Sequence, residues 1–322
     1  MDILITNDDG INAKGLLALS TKFLEMGNVT IVAPNTQQSA TSHSLTTTTP
    51  LRIQKHNLLK DTAQQSALNA YSINGSPADC VKFALLTLFK GKKPDLLLAG
   101  INHGRNTGIN IMYSGTIAGA TEGHLVGIPS FAVSVATHDT SFDCSAAADY
   151  AFDIVSNIMK HPDKNKFFIN INVPACSKEA IKGMKVVKGS NSYWEDEYEK
   201  RIDPFGKEYF WFNGSYLYDA NDADTDDVVV DNNFVAITPI QILFTNQQQI
   251  DTIKYIETGE ELVLPTPTTD SDDIDNEVVD ATNAESESIA DVLEDDGMDV
   301  LDVDMGEIPL QGIDADDMLT LN

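Results

Sequence analysis

Two adjacent carboxylates, Asp8 and Asp9, follow directly on the first apolar run of the chain, Asp2 to Thr6. Side by side they repel each other, and they repel a bound phosphate unless a cation intervenes. A polar loop from Asn35 to Thr49 carries Ser39 and Ser42, and a Gly/Asn-rich loop from Gly100 to Tyr113 carries Asn102 and Asn106. Carboxylates joined by a hydroxyl and an amide oxygen make a hard, all-oxygen donor set. It suits Mg²⁺ or Mn²⁺ rather than zinc, which prefers nitrogen and sulfur. Such a metal polarises a phosphoryl oxygen and activates a water. Ser114-Gly115-Thr116 opens a helical pattern, so its N–H groups, hydroxyls and helix dipole can hold an anion, with Asn106 as a further donor. A cation beside an anion cradle is what phosphoryl transfer requires.

Each piece alone has a plainer reading. An acid pair before a helix usually caps it, Ser-Gly-Thr is ordinary capping chemistry, and Gly-rich loops are mostly turns. Their placement sets them apart, and it depends on the elements between them. Asp2 to Thr6, Val29 to Ala33, Tyr71 to Ile73, Asp95 to Ala99, Pro129 to Val135 and Phe167 to Val173 read as strands. Helical patterns separate them: Leu16 to Leu24, a stretch capped by Ser76-Pro77 and running through Phe89, Ser114 to Val126, and Ala146 to Met159. This alternation predicts an α/β fold with a largely parallel sheet covered on both faces. Ligands bind such sheets beyond the carboxyl ends of the strands, and the candidate groups stand at three of those ends.

From Gly183 onward aromatics become dense, and Asp203-Pro204-Phe205-Gly206 is a turn signal between two extended runs, which predicts a hairpin-rich extension. Phe234 to Ile237 and Ile240 to Phe244 read as a return to the sheet. The net charge is −28 over 322 residues, and 19 acids lie from Asp270 onward, leaving −9 for the first 269 residues. The chain carries no Lys or Arg after Lys254. Neither part has the basic face of a nucleic-acid binder, so no nucleic-acid duplex is expected as partner. The tail reads as disordered, with binding to a basic partner as its minority role. No run of about 18 apolar residues predicts a membrane span, and the opening Met1-Asp2-Ile3 lacks a leader pattern. The three cysteines, Cys80, Cys144 and Cys176, fit no zinc or redox spacing, which points to reduced thiols and a cytoplasmic location.

These residues also carry a resemblance. Ile3-Leu4-Ile5-Thr6-Asn7-Asp8-Asp9-Gly10-Ile11 resembles the opening signature of the SurE family, the stationary-phase survival proteins. Ala33-Pro34 with Gln38-Ser39 and the stretch Gly75-Ser76-Pro77-Ala78-Asp79-Cys80-Val81 are similar to further family segments. So are Gly100-Ile101-Asn102-His103-Gly104-Arg105-Asn106-Thr107-Gly108, Tyr113-Ser114-Gly115-Thr116-Ile117, Asn170-Ile171-Asn172-Val173-Pro174 and Ile237-Thr238-Pro239. The motifs keep family order across about residues 1 to 245. Three positions depart from the usual pattern: Ala99 where Ser often stands, Ser76 for Thr, and Ala40 where a Gly commonly follows Ser39.

The resemblance implies a Rossmann-like catalytic core over residues 1–180. Residues 181–265 would be a hairpin-rich arm and its return to the core, the arm exchanging between the subunits of a homodimer or homotetramer; the acidic tail, 266–322, read from its composition, lies outside the family pattern. It implies a nucleotidase acting on nucleoside 5′- and 3′-monophosphates, sometimes with polyphosphate hydrolysis, using one divalent metal ion per subunit, Mg²⁺ or Mn²⁺. Carried over by motif, the metal ligands are Asp8, Asp9, Ser39 and Asn102. Asn106, Ser114, Gly115 and Thr116 hold the phosphate, and Asp8 or Asp9 assists a metal-activated water. A non-catalytic nucleotide-binding module with an acidic interaction tail is the alternative. His103 is expected to face solvent, Arg105 to lie outside the site, and the aromatics from Tyr193 to Phe212 to pack a hairpin or subunit interface rather than stack on a nucleobase.

Overall fold

The apolar runs line up as adjacent strands of one sheet. The computed structural model describes residues 1–59, 65–242 and 245–258. Eight strands come first: β1 (Asp2–Thr6), β2 (Asn28–Pro34), β3 (Ile53–His56), β4 (Leu68–Ile73), β5 (Leu96–His103), β6 (Ser130–Val135), β7 (Phe168–Val173) and β8 (Met184–Val186). A separate antiparallel ribbon follows, β9 (Tyr193–Ile202) with β10 (Glu208–Leu217), before β11 (Val235–Pro239) rejoins the sheet. The strand order is β3-β4-β2-β1-β5-β6-β7-β11-β8. From β4 to β7 every neighbouring pair is parallel, whereas β3 and β11 run antiparallel to their inner neighbours. The parallel segment has the Rossmann order, reversing direction between β1 and β5, where a crevice opens at the strand ends.

Successive side chains of the central strands point to opposite faces, and both faces are dry. Ile3, Ile5, Leu96, Leu98, Phe131 and Val133 pack with helices α1 (Lys14–Phe23) and α4 (Ser145–Ile158). Leu4, Leu97, Ala99 and Ala132 face the opposite way, toward α2 (Pro77–Phe83) and α3 (Gly115–Leu125). Each fully buried Ile, Leu or Phe contributes about 1.5–3 kcal/mol, so the apolar runs can become no other element without exposing one set. Ser76 and Asp79 form a reciprocal capping box that starts α2, with Pro77 in its first turn. The helix continues as a π-helical turn, Ala84–Leu88.

The return to the sheet ends with β11 at Pro239, so residues 240–242 form no strand and the rest of the expected Ile240 to Phe244 run lies outside the described residues. Three further elements differ from expectation. β5 does not stop at Ala99 but continues to His103, with a register shift against β6 between Ala99 and Asn102. Gly100 makes this possible: it sits at φ +137, and a Cβ there would lie 2.3 Å from the Val133 carbonyl oxygen. The chain bulges without leaving the sheet. The edge strand β3 has no buried alternation to announce it, its burial ranging from exposed to intermediate. A short helix, α5 (Asp226–Asp231), precedes β11. Contacts group Met1–Gln247 as one compact unit and Gln248–Asn322 as a second. The described part of the second contains all but the first residue of α6 (Gln247–Ile253), and α7 (Tyr255–Thr258). The acidic tail, 266–322, lies outside the described residues. No helix among the described residues is long and apolar enough to cross a membrane.

Candidate functional site

Beyond Thr6 the chain turns on Asn7, whose buried amide donates to the Gly10 carbonyl (3.0 Å) and accepts from the Gly10 N–H (3.2 Å). The turn delivers Asp8 and Asp9 to the crevice between β1 and β5. Asp8 is nearly buried, and its carboxylate accepts from the Thr116 hydroxyl at 2.6 Å and the Thr116 N–H at 3.3 Å. Burial is the largest influence on this carboxyl and, with the neighbouring Asp9 charge, pushes it up to about 6 against the Thr116 hydrogen bonds. Gly115 allows this approach, since a Cβ there would stand 3.1 Å from the Asp8 Cβ.

Asp9 is held from two sides. The His103 N–H donates to it at 3.1 Å, His103 Nδ1 lies 3.2 Å away, and the Gln37 amide reaches its other oxygen at 3.4 Å. The His103 side chain is only 4% exposed, so the expectation of a solvent-facing histidine is corrected: the continuation of β5 past the bulge carries the imidazole inward. Gln37 also donates to the Ser39 hydroxyl at 2.9 Å, tying the second loop to the acid pair. That loop is clipped at two further points. Asp79, besides capping α2, accepts from the Thr46 N–H and hydroxyl, and His43 lies 2.7 Å from the buried Glu122, which Lys82 also pairs.

Asp8, Asp9, Ser39, Asn102, Asn106 and Ser114 line one open cavity of about 650 Å³. Asn102 is stapled by its amide to the Gly104 carbonyl at 2.7 Å. Asn106 is fixed by the Ser134 hydroxyl (2.9 Å) and by backbone contacts to Asn170 and Asn172, both fully buried. Because amide orientation follows the hydrogen-bond network, a Ser134 hydroxyl can serve either end of Asn106. Ser114 caps α3 by accepting from the Ile117 N–H. Gly115 and Thr116 are brought to the same helix start but stand behind Asp8, and the Thr116 hydroxyl is already committed to that carboxylate. Arg105 lines the cavity too, yet its guanidinium is spent on Asp231 (2.7 Å) and Asp227 (3.5 Å).

The root of the β9–β10 ribbon supplies wall residues that the sequence reading did not place there, Trp194 and Tyr216. Tyr216 donates its hydroxyl to Asp227 at 2.7 Å, and Asp227 also receives the hydroxyls of Thr107 and Ser190. Burial foremost pushes the Tyr216 phenol up to about 12, so it stays a neutral donor. The dense aromatics and the turn signal at Asp203 to Gly206 announced the ribbon, but nothing local said that its root returns to the crevice.

The donor set fits a hard divalent cation. Asp8 and Asp9 are adjacent, the Asp9 charge helps by repulsion to raise the Asp8 carboxyl, and no lysine or arginine among the described residues pairs with either. A cation between them with Ser39 and Asn102 oxygens completing the set would relieve that repulsion.

Fold and cavity together define a Rossmann-like α/β protein with an acidic, oxygen-lined site at its topological switch point. The sequence profile described as "Survival protein SurE" matches residues 3–196. A protein named 5′-nucleotidase SurE from Thermosipho africanus is 38% identical over 250 residues, covering 78% of this chain and 95% of its own. One of the same name from Natranaerobius thermophilus is 39% identical over 250 residues, covering 76% and 95%. The crystal structure of the SurE protein from Aquifex aeolicus superposes with a TM-score of 0.67 at 34% identity, covering 80% of this chain and all of that one. The chain belongs to the SurE family.

Proposed function

We propose that this chain is a divalent-metal-dependent phosphomonoesterase, a 5′-nucleotidase that hydrolyses nucleoside 5′-monophosphates, and 3′-monophosphates as well, to nucleoside and phosphate. The observation that carries the reading is the convergence of Asp8, Asp9, Ser39 and Asn102 on one cavity in a chain whose relatives are named 5′-nucleotidases. In this reading those four residues hold one Mg²⁺ or Mn²⁺ per subunit. When bound, the ion supplies Lewis-acid polarisation of the phosphoryl oxygen and lowers the pKa of the attacking water. Asn106, Ser114 and the helix start at Gly115 orient the phosphate, while Thr116, whose N–H and hydroxyl both bond Asp8, serves the phosphate site by holding that carboxylate in place. Asp8 or Asp9 takes the proton of the attacking water, and His103 keeps the Asp9 carboxylate aimed into the cavity.

The exposed aromatics of the ribbon, Phe205 (88%) and Phe212 (62%) among them, support a subunit contact made by residues 181–265, in a homodimer or homotetramer. A two-stranded ribbon is marginal by itself and gains stability from such cover. Three free cysteines support a reducing, cytoplasmic setting.

The test is phosphate release from a panel of nucleoside monophosphates with Mn²⁺, Mg²⁺ or EDTA, for the native chain and Asp9→Asn. Release that needs metal and that EDTA and the substitution both abolish is expected. Nucleotide binding with no release under any metal would replace the enzyme by a binding module.

A further inference from the structure

The cavity has two chemically different sides. Its floor is polar: the acid pair, Ser39, Asn106 and Ser114. At roughly 30 Å³ per water, a phosphate seated on that floor fills only a small part of about 650 Å³. The remaining space is bounded by the ribbon root, where Trp194 and Tyr216 are direct cross-strand partners. Their ring centroids are 5.3 Å apart and tilted by 49°.

The polar ends of both rings are already used within the protein. The Trp194 indole N–H donates to Asn110 at 2.9 Å, and the Tyr216 hydroxyl contacts Asp227 and Ser192. What Trp194 presents to the cavity is therefore ring surface, and the residue is still 41% exposed. Here one edge is pinned, one side leans on Tyr216, and surface is left over next to the phosphate floor.

We propose that Trp194 is the stacking wall of a nucleobase subsite, with Asn110 and Tyr216 as the positioning residues that hold the indole in place. The proposal deepens the phosphomonoesterase reading and rests on it for the role of the floor. Stacking accepts any π face, and the wall offers no spare donor from Trp194 or Tyr216. The subsite accordingly takes purines and pyrimidines alike, with the larger purine faces held more tightly. It distinguishes nucleotides from sugar phosphates, which have no ring to stack.

The experiment compares AMP with ribose 5-phosphate, the same phosphoester without the base, for the native chain, Trp194→Ala and Trp194→Phe. Trp194→Ala is expected to raise KM for AMP about tenfold or more while leaving kcat and the ribose 5-phosphate parameters within about twofold of native. Trp194→Phe keeps a π face but loses the bond to Asn110, and it should restore most of the AMP affinity. A structural role for the indole predicts the opposite: both substrates suffer equally, and Phe fails to rescue. That outcome overturns the proposal.

Adenosine provides a reading independent of turnover. The chain has two tryptophans, so in a Trp211→Phe background Trp194 is the sole tryptophan, and adenosine should quench its selectively excited indole fluorescence where ribose does not. Absence of quenching also overturns the subsite. Quenching by adenosine in a protein that releases phosphate from neither AMP nor ribose 5-phosphate would sink the phosphomonoesterase reading and leave the subsite standing.

Discussion

Thr116→Val separates two roles that the helix start can play. Valine matches threonine in shape, so the substitution removes the hydroxyl without opening a void. The bond it deletes is a buried 2.6 Å contact to the Asp8 carboxylate. Hydrogen bonds to a charged group contribute about 1.5–3 kcal/mol, and at about 1.4 kcal/mol per factor of ten the loss is roughly 10- to 150-fold in whatever equilibrium needs Asp8 aimed and ionised. If Asp8 is a metal ligand, that equilibrium is metal binding, and loss of an orienting partner typically costs about 10- to 100-fold in metal affinity. The assay is Mn²⁺ binding followed by electron paramagnetic resonance of the free ion, run at pH 8, above the Asp8 value of about 6. Thr116→Ser is the control, since it keeps the hydroxyl. The reasoning is refuted if Thr116→Val binds Mn²⁺ within about twofold of native while KM for AMP rises, because the hydroxyl would then be serving the phosphate and not Asp8.

Three further substitutions test the scaffold. Ala40 occupies the left-handed region at φ 55, so Ala40→Gly should stabilise the protein by about 0.5–1 kcal/mol, the strain relieved exceeding the extra chain entropy of glycine; a lower urea midpoint would contradict this. Gly100→Ala places a Cβ 2.3 Å from the Val133 carbonyl at φ +137 and should cost about 4 kcal/mol or more, read as loss of folded protein in expression or denaturation. Burial works against ionisation of Glu122, but hydrogen bonds from His43 and Lys82 outweigh it and hold the carboxyl below its ordinary value of 4.5. A depressed carboxyl stabilises the fold above its unfolded pKa and loses that contribution as pH falls through the folded value. Glu122→Gln should therefore cost about 1–2 kcal/mol near pH 7, after allowing for the partly exposed partners, and the gap to native should close as pH drops below 4.5. A gap that stays constant down to pH 3 would exclude the ion pairs as its source.

Much of the sheet was legible because its strands are dry on both faces. Residues such as Ile3, Leu4 and Ile5 leave no polar side to compete with burial, and the pattern announces itself without long-range information. Helix starts were legible for a local reason as well: Ser76 and Ser114 act within three residues of themselves. The groups at strand ends could be nominated from the parallel topology, which assigns one functional edge to the sheet. Other features depend on contacts far apart in the chain. His103 turns inward only because Gly100 lets β5 bulge against Val133. Helix α5 hides two acids, Asp226 and Asp227, that look like surface charge until Thr107, Gly108, Ser190 and Tyr216 are seen to satisfy them. The aromatic wall is invisible for the same reason, since Trp194 lies 84 residues from its partner Asn110.

The register of the ribbon has a mechanical consequence. β9 and β10 are ten residues each, paired without interruption from Ile202 opposite Glu208 at one end to Tyr193 opposite Leu217 at the other. At about 3.3 Å per residue this is a lever of roughly 30 Å, with Phe205 at its free end and Trp194 and Tyr216 beside its fulcrum. The fulcrum is Asp227, which grips Tyr216 and the Thr107 end of the cavity loop together. Displacement of the tip is geared down by the length of the lever, so a swing of several ångströms at Phe205 arrives at the indole as a fraction of an ångström.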